Sequence, residues 1–211
     1  MILIAHRGDP RHAPENTLVS FRQAAARGAK AVEMDLRRTR DGDWIVFHDR
    51  FSSRPAFAPG GKEPVPTLAE TLSFCRSRQL EAYLDIKEPA GELSLSRVLR
   101  LSGWLRRTKL MAGELESLRR WRRLFPQQPL FWVTGYKTRI TPRRITQASR
   151  LRLTGFVSYK LNVTKTAVEQ AHRAGLKVFV WTVRTASGLR RYARMGVDGI
   201  MSELWPPPRS I

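Results

Sequence analysis

The chain has very little cysteine and no long apolar run. Its 211 residues include one cysteine, Cys75, so no internal disulfide is possible, and this usage is typical of a reducing compartment. No stretch approaches the roughly 18 consecutive apolar residues that a membrane-spanning helix needs. The N-terminal segment lacks the basic and apolar regions of a secretory signal. We therefore expect a cytoplasmic globular protein that holds Cys75 as a small buried apolar group.

Several motifs of common enzyme classes are also missing. The chain has no G-x-G-x-x-G after its first apolar run, no G-x-S-x-G, no C-x-x-C and no H-E-x-x-H. These absences argue against a dinucleotide-binding fold, a serine nucleophile elbow, a dithiol redox site and a zinc protease.

Acidic residues are few, with 18 Asp and Glu against 38 Lys and Arg, which gives a formal net charge of +20. The excess is concentrated between Arg97 and Arg152, where the only acids are Glu114 and Glu116. Such a surface attracts phosphorylated substrates, acidic lipid headgroups or nucleic acid. The charge therefore bears on partners and says little about the fold.

Short apolar segments alternate with amphipathic helical patterns from one end of the chain to the other. The first strand is predicted over "ILIA", and the last over "DGIMSE". Eight strands alternating with helices favour a parallel sheet closed as a compact TIM (β/α)8 barrel, with a doubly wound open sheet as the alternative. We expect one barrel domain over residues 1–205 and a tail over 206–211, and a loose conformation for "WPPPRS".

Polar side chains recur where the predicted strands end. They are His6 and Arg7, Glu33 and Asp35, His48 and Asp49, Asp85 and Lys87, Trp181 and Thr182, and Ser202 and Glu203. A spacing of two residues places both side chains on the same face of a strand. In a barrel the C-terminal strand ends form one rim, so we expect these groups to meet there.

Three of these residues are carboxylates with the character of a metal site. Glu33, Asp35 and Asp85 offer the hard oxygen ligands that Mg²⁺ or Ca²⁺ prefers. Carboxylates held together need positive charge, which the metal, Arg7 and Lys87 supply. One alternating strand alone is equally compatible with a solvent-facing stripe, but the same pattern on two strands favours the site.

Two histidines stand at the ends of other strands. His6 and His48 are candidates for a proton-transfer pair, one removing and one donating a proton. A metal with Arg and Lys beside it suits a phosphoryl oxyanion better than an acyl group. The residues therefore indicate a metal-assisted phosphodiesterase.

Seven segments, in order, resemble the motifs of the glycerophosphodiester phosphodiesterase family. They are "HRG", "PENT", "VEMDLRRTRDG", "FHD", "LDIKEP", "VFVWTV" and "GVDGIMSE", and they extend from Ala5 to Glu203. The resemblance implies a TIM barrel. It also implies hydrolysis of deacylated phospholipids, such as glycerophosphocholine, to sn-glycerol 3-phosphate and an alcohol.

The resemblance also implies a role for each matching residue. It implies that His6 and His48 are the acid/base pair, that Glu33, Asp35 and Asp85 bind the metal, that Arg7 and Lys87 contact phosphate, that Glu15 and Asn16 brace the site, and that Trp181 forms an apolar wall. The third carboxylate is often Glu in the family, where this chain has Asp.

The chain departs from the family pattern in three places. The segment between His48 and Pro66 is shorter than the family's usual insertion, "MSE" with Glu203 replaces a T-D pair, and "TKLMAGELE" replaces an S-F motif. These changes concern substrate fit, and we expect a more open site that discriminates less for a bare glycerol group.

Two other functions are compatible with the sequence. The first is a lysophospholipase D-like enzyme that acts on lysophospholipids at an anionic membrane. In this case Leu115, Leu118 and Trp121 of "ELESLRRWRRLF" would lie on the bilayer; the alternative for this segment is a barrel helix with its apolar stripe on the sheet.

The second function is a non-catalytic module that binds anions or nucleic acid. Against it, no RNA-binding motif is present, and aromatic residues do not alternate with the basic ones. We expect a small-molecule phosphodiester as partner and no nucleic acid; the sequence indicates no oligomeric state.

Overall fold

A closed barrel of eight parallel strands forms the centre of the molecule in the computed structural model, which describes residues 1–53 and 55–208. The strands in this part of the chain are β1 (Ile2–His6), β2 (Ala31–Arg38), β3 (Trp44–Val46), β4 (Glu81–Ile86), β5 (Thr108–Ala112), β6 (Leu130–Thr134), β7 (Gly155–Tyr159), β8 (Lys177–Val183) and β9 (Gly199–Ser202). Strand β1 pairs with both β9 and β2, which closes the barrel. The TIM barrel prediction is confirmed, and the open sheet is wrong.

Among the strands of residues 1–53 and 55–208, β3 alone lies outside the barrel. The sequence predicts a strand here, within a parallel sheet, but β3 pairs antiparallel with the end of β2, with Leu36 opposite Val46. The short Asp-Gly turn reverses the chain, and a parallel neighbour would need a much longer crossover. Strand β3 therefore extends the edge of β2 beside the mouth of the barrel.

Seven helices surround the barrel in the described part of the chain. They are α1 (Leu18–Ala26), α2 (Leu68–Ser77), α3 (Glu92–Leu101), α4 (Leu115–Leu124), α5 (Pro142–Arg150), α6 (Lys165–Arg173) and α7 (Ala186–Met195). Five begin with a threonine whose hydroxyl accepts a hydrogen bond from a backbone N–H of the first turn. These caps satisfy donors that a helix start leaves free. Thr67 also forms a capping box with Glu70, whose side chain accepts from the Thr67 backbone N–H.

The barrel interior is filled by one side chain from each barrel strand. These are Ile4, Ala31, Tyr83, Met111, Phe131, Val157, Phe179 and Met201, all buried. They form an apolar floor beneath the C-terminal end of the barrel. A second, larger core lies between the sheet and the helices and includes Cys75, which is fully buried as predicted. Burial raises the pKa of this thiol to about 12.

The apolar stripe of α4 faces this outer core. Leu118 and Trp121 are fully buried, and the Trp121 ring stacks on Phe125 at 6.1 Å between centroids. Of the two alternatives for this helix, the barrel helix with its stripe on the sheet is therefore confirmed, and the stripe lying on a membrane is wrong, because the apolar side chains already pack in the core. Every helix in the described residues is too short or too polar to cross a bilayer.

The chain after β9 packs more tightly than expected. Trp205 is 5% exposed, and its indole N–H donates to the Ser202 carbonyl at 3.0 Å. The prediction that "WPPPRS" is loose is therefore wrong at its first residue, because burial of a large aromatic ring stabilises the folded chain. Residues 209–211 of the predicted tail lie outside the described residues.

Candidate active site

A cavity of about 640 Å³ opens at the C-terminal end of the barrel, above the apolar floor. The residues of the predicted site that line it are His6, Arg7, Glu15, Glu33, Asp35, His48, Asp85, Lys87, Trp181 and Glu203. Barrel register explains the convergence: His6 lies opposite Glu33, and Asp35 lies opposite Asp85. Alternating side chains of neighbouring strands thus point into one space.

The three carboxylates form a compact buried cluster. Glu33, Asp35 and Asp85 each offer one oxygen, and these oxygens lie within 4.8 Å of one another. Their residues are 2%, 1% and 8% exposed, respectively. Buried carboxylates at this separation repel unless positive charge is added, and their oxygens match the donor preference of a hard divalent cation. The residues present therefore fit a metal ion of the Mg²⁺ or Ca²⁺ type.

Two cationic side chains also contact this cluster. The Lys87 ammonium lies 2.9 Å from Asp35 Oδ1 and also donates to Asp85. Arg7 Nε lies 2.9 Å from Asp35 Oδ2, although its N–H is not aligned for a hydrogen bond. Burial acts to raise the pKa of Asp35, but Lys87 and Arg7 outweigh it and hold that pKa well below its ordinary range. Asp35 is therefore an anion whose charge is shared by two cations.

Glu33 has a different environment. Its Oε2 accepts a hydrogen bond of 3.1 Å from the Arg7 backbone N–H, and His6 Nε2 lies 3.9 Å away. Burial and the neighbouring charge of Asp35 raise the pKa of Glu33 well above its ordinary range. A divalent cation in the cluster would favour the ionised carboxylate and so lower the pKa of Glu33, which links metal binding to pH at this residue.

His6 is held on both sides of its ring. Its Nδ1 lies 3.3 Å from Glu203 Oε1, and its Nε2 lies 3.4 Å from the Thr182 hydroxyl. Burial acts to raise the pKa of Glu203, but hydrogen bonds from His6 and Arg184 lower it to about 2. An ionised carboxylate only accepts hydrogen bonds, so His6 carries a proton on Nδ1 and turns Nε2 toward the Glu33 side of the cavity.

His48 lies at the mouth of the same cavity. Its side chain is 41% exposed, and its Nδ1 lies 2.7 Å from Asp49 Oδ1. Arg37 fixes the His48 backbone, because its Nε donates to the His48 carbonyl at 3.0 Å while its Nη1 donates to Glu88 at 3.2 Å. The two histidines thus occupy different depths of one cavity.

The "HRG" and "PENT" segments are tied together by direct contacts. Asn16 Nδ2 donates to Asp35 Oδ2 at 2.9 Å, and the Asp35 backbone N–H donates to Asn16 Oδ1 at 3.2 Å. Arg7 donates to Glu15 Oε1 at 2.7 Å. Arg7 and Asn16 both have positive φ, 56° and 59°. The left-handed backbone at these two residues bends the chain within each segment, so that both segments reach the carboxylate cluster.

Four polar residues of the cavity received no role from the sequence: Tyr136, Tyr159, Thr182 and Arg184. Arg184 binds Glu203, and Thr182 contacts His6. Tyr136 and Tyr159 pack around Trp181, the residue expected to form an apolar wall, and the three rings form an aromatic wall with centroids 4.5–5.4 Å apart. The alternation along β7 places Tyr159 on the same inward face as Val157, so the sequence pattern could have predicted Tyr159. Tyr136 lies on a loop, where no such periodicity exists.

Comparison with known proteins gives one consistent result. The family model described as the glycerophosphoryl diester phosphodiesterase family matches residues 6–56 and 51–203. A glycerophosphodiester phosphodiesterase from Caldanaerobacter subterraneus subsp. tengcongensis is 25% identical over 96% of this chain and 93% of that protein.

Solved structures agree with the barrel. A glycerophosphodiester phosphodiesterase from Parabacteroides distasonis superimposes with a TM-score of 0.84 at 20% identity, covering 96% of this chain and 92% of that one. A phosphodiesterase from Oleispira antarctica, in complex with its product sn-glycerol 3-phosphate, superimposes with a TM-score of 0.85 at 24% identity, covering 96% and 93%.

Proposed function

The chain belongs to the glycerophosphoryl diester phosphodiesterase family, and from that membership we propose that it hydrolyses glycerophosphodiesters, such as glycerophosphocholine, to sn-glycerol 3-phosphate and an alcohol. The observation that carries this proposal is the convergence of three buried carboxylates, two cations and two histidines on one cavity. The Oleispira antarctica protein binds sn-glycerol 3-phosphate, which is the product named in this proposal.

We propose that Glu33, Asp35 and Asp85 hold Mg²⁺ or Ca²⁺. The bound ion would polarise a phosphoryl oxygen and stabilise negative charge there. Lys87 pairs with two of these carboxylates, Asp35 and Asp85. An ion held by the carboxylates would displace the Lys87 ammonium from them, and the ammonium would then be free to contact the substrate. Lys87 and Arg7 would then contact the phosphoryl oxygens of the diester.

His6 and His48 are proposed as the proton-transfer pair. One removes a proton from the attacking hydroxyl, and the other protonates the leaving alcohol oxygen as the P–O bond breaks. The Glu203 contact fixes the ring of His6 and keeps its Nε2 available, whereas His48 stands nearer to solvent. The attacking hydroxyl belongs either to water or to the glycerol group of the substrate, which would first give a cyclic phosphate.

The aromatic wall is proposed as the surface against which the glycerol or the alcohol packs. Trp181 lies in the cavity beside Tyr159, and Tyr136, at 66% exposure, continues this surface to the mouth. Exposed Leu161 lies just after β7 at this end of the barrel, and exposed Phe57 lies on the connection between β3 and α2. This apolar rim favours the second candidate, a lysophospholipase D-like activity in which an acyl chain would lie on the rim.

The test is phosphodiester hydrolysis by the purified chain on glycerophosphocholine and, separately, lysophosphatidylcholine, with Mg²⁺, Ca²⁺ or EDTA. We expect metal-dependent release of sn-glycerol 3-phosphate that is lost in His6→Ala. Choline release from the lyso-lipid alone assigns the second candidate. A failure to cleave either substrate with any of these ions overturns both.

We also propose that residues 1–205 act as one catalytic domain in the cytoplasm. The support is that a single cavity takes residues from β1 to the end of β9 and that the one cysteine is a buried thiol. A nucleic-acid partner forms no part of the proposal.

A further inference from the structure

The end of the barrel opposite the cavity, here called the distal face, is strongly basic. It comprises the connections from each helix to the following barrel strand and the residues next to them, in ranges 27–30, 76–80, 102–107, 122–129, 150–154, 173–177 and 194–198. These ranges, all within the described residues, contain eleven exposed lysines and arginines. They contain one acid, Asp198, which accepts hydrogen bonds of 2.8 Å from His172 and from the Val178 backbone.

Helix dipoles account for part of this pattern only. A cation in the last turn of a helix stabilises it, and several helices here have one. Further cations, such as Arg106, Arg107 and Arg152, lie beyond the helix ends, where they repel their neighbours without capping an α-helix. Their accumulation at one end of the molecule gives the barrel an excess of positive charge far from the catalytic mouth.

The charge is densest in a cleft of about 540 Å³ at the ends of α4 and α5. Its lining includes five arginines, Arg119, Arg122, Arg123, Arg150 and Arg152, and one acid, Glu116. Arg122 is fixed there because its guanidinium donates to four backbone carbonyls of the two connections. Burial and the charge of Arg152 lower the pKa of Arg122, which indicates a site short of negative charge.

We propose that the distal face binds an anionic membrane surface through the phosphate groups of its lipids, so that the catalytic mouth points away from the bilayer. The connections have three to six residues each, so no long segment projects from this face. The cations also surround the whole barrel end rather than following one stripe. A broad array of this kind matches the extended negative surface of a membrane, where each added cation contributes to binding.

Few large apolar side chains are exposed on the distal face, which argues against attachment by insertion into the bilayer and against base stacking. The large exposed apolar side chains there, within the described residues, are Met1 and Leu101, neither of them aromatic. Successive bases of single-stranded nucleic acid stack on exposed aromatic side chains, and Trp104 at this end is buried. Binding is therefore electrostatic, and the cations of α4 take part while its apolar stripe stays in the core.

The orientation has a consequence for substrate delivery. With the distal face on the bilayer, the mouth opens into the aqueous phase, so a water-soluble diester reaches the carboxylate cluster without leaving solution. This consequence rests on the proposed function, whereas the membrane contact does not.

Sedimentation with phosphatidylcholine vesicles, with or without phosphatidylglycerol, tests the contact. We expect binding only to the anionic vesicles and a loss of binding at high salt. The triple variant Arg123→Gln/Arg150→Gln/Arg152→Gln should bind about 100-fold more weakly, at about a factor of five for each cation removed. The control Lys62→Gln/Arg143→Gln/Lys165→Gln removes the same charge from exposed positions outside the distal face and should bind like the wild type.

Two results overturn the contact. Equal weakening by both triple variants would show that binding follows net charge rather than this face. Binding to duplex RNA, with no binding to anionic vesicles at low salt, would assign the face to nucleic acid. Thermal unfolding of both variants checks that the exposed substitutions leave the fold intact.

The orientation is tested on the vesicle-bound wild type. Pelleted enzyme should hydrolyse glycerophosphocholine at the rate of the free enzyme. Inhibition by anionic vesicles that the distal triple variant relieves would place the mouth against the bilayer and overturn the orientation. If the chain cleaves no diester at all, the proposed function fails while the sedimentation result stands.

Discussion

Replacing Lys87 with methionine removes the ammonium that joins Asp35 and Asp85. Asp35 is almost fully buried, whereas the Lys87 side chain is 23% exposed. Removing one partner of a buried ion pair costs about 3–5 kcal/mol, because the other charge stays buried without compensation. Arg7 and Asn16 remain on Asp35, so we expect the lower end of this range, about 3 kcal/mol.

Thermal unfolding in EDTA measures this loss. For a chain of this size, about 3 kcal/mol lowers Tm by roughly 6–12 °C. Added Mg²⁺ or Ca²⁺ should raise the Tm of Lys87→Met more than that of the wild type, because the ion no longer competes with the ammonium for the same carboxylates. Lys165→Met, at an exposed position, is the matched control and should unfold like the wild type. Equal Tm values for Lys87→Met and the wild type in EDTA would refute this reasoning.

Three further outcomes follow from local geometry. Asn16→Ala removes two hydrogen bonds to Asp35 and should cost about 1–3 kcal/mol in urea unfolding; an unchanged midpoint would show that these bonds contribute nothing. The pKa of Glu203 is lowered to about 2, so its stabilising effect is complete above its ordinary pKa near 4.5 and is lost as pH falls toward 2. Glu203→Gln should therefore show a flatter Tm profile across that window, and a profile parallel to the wild type would contradict the assignment. A Cβ on Gly155 would lie 2.0 Å from a carbonyl oxygen of β8, so Gly155→Ala should lose about 3 kcal/mol, whereas Gly135→Ala, with open space at its Cβ, should unfold like the wild type. Equal stability of these two variants would count against the packing described.

The carboxylate cluster could be predicted because it depends on strand periodicity alone. Residues two apart on a strand share a face, and parallel barrel strands bring those faces together, so Glu33, Asp35 and Asp85 meet. The contacts of Glu203 with His6 and Arg184 were not predictable in the same way. They depend on the register between β8 and β9, which shifts between Val180 and Val183, and on loop conformation.

The two alternatives that stayed open for α4 and the wrong expectation for the tail have a common physical origin. An apolar stripe on α4 has the same spacing whether it faces a sheet or a membrane, and only the structure shows Leu118 and Trp121 in the core. Likewise, the terminal position of "WPPPRS" predicts a loose tail, but the Trp205 ring packs in the outer core, which no local pattern reveals. Periodicity predicts which face of an element is apolar, and not what covers it.

The most direct test of the proposed chemistry is a metal titration of enzyme stripped with EDTA, with release of sn-glycerol 3-phosphate from glycerophosphocholine as the readout. The account predicts no release without the ion, a saturable return of activity on addition of Mg²⁺ or Ca²⁺, and loss of that return in Asp85→Asn. Equal release in EDTA and in metal by the wild type would contradict the role assigned to the three carboxylates.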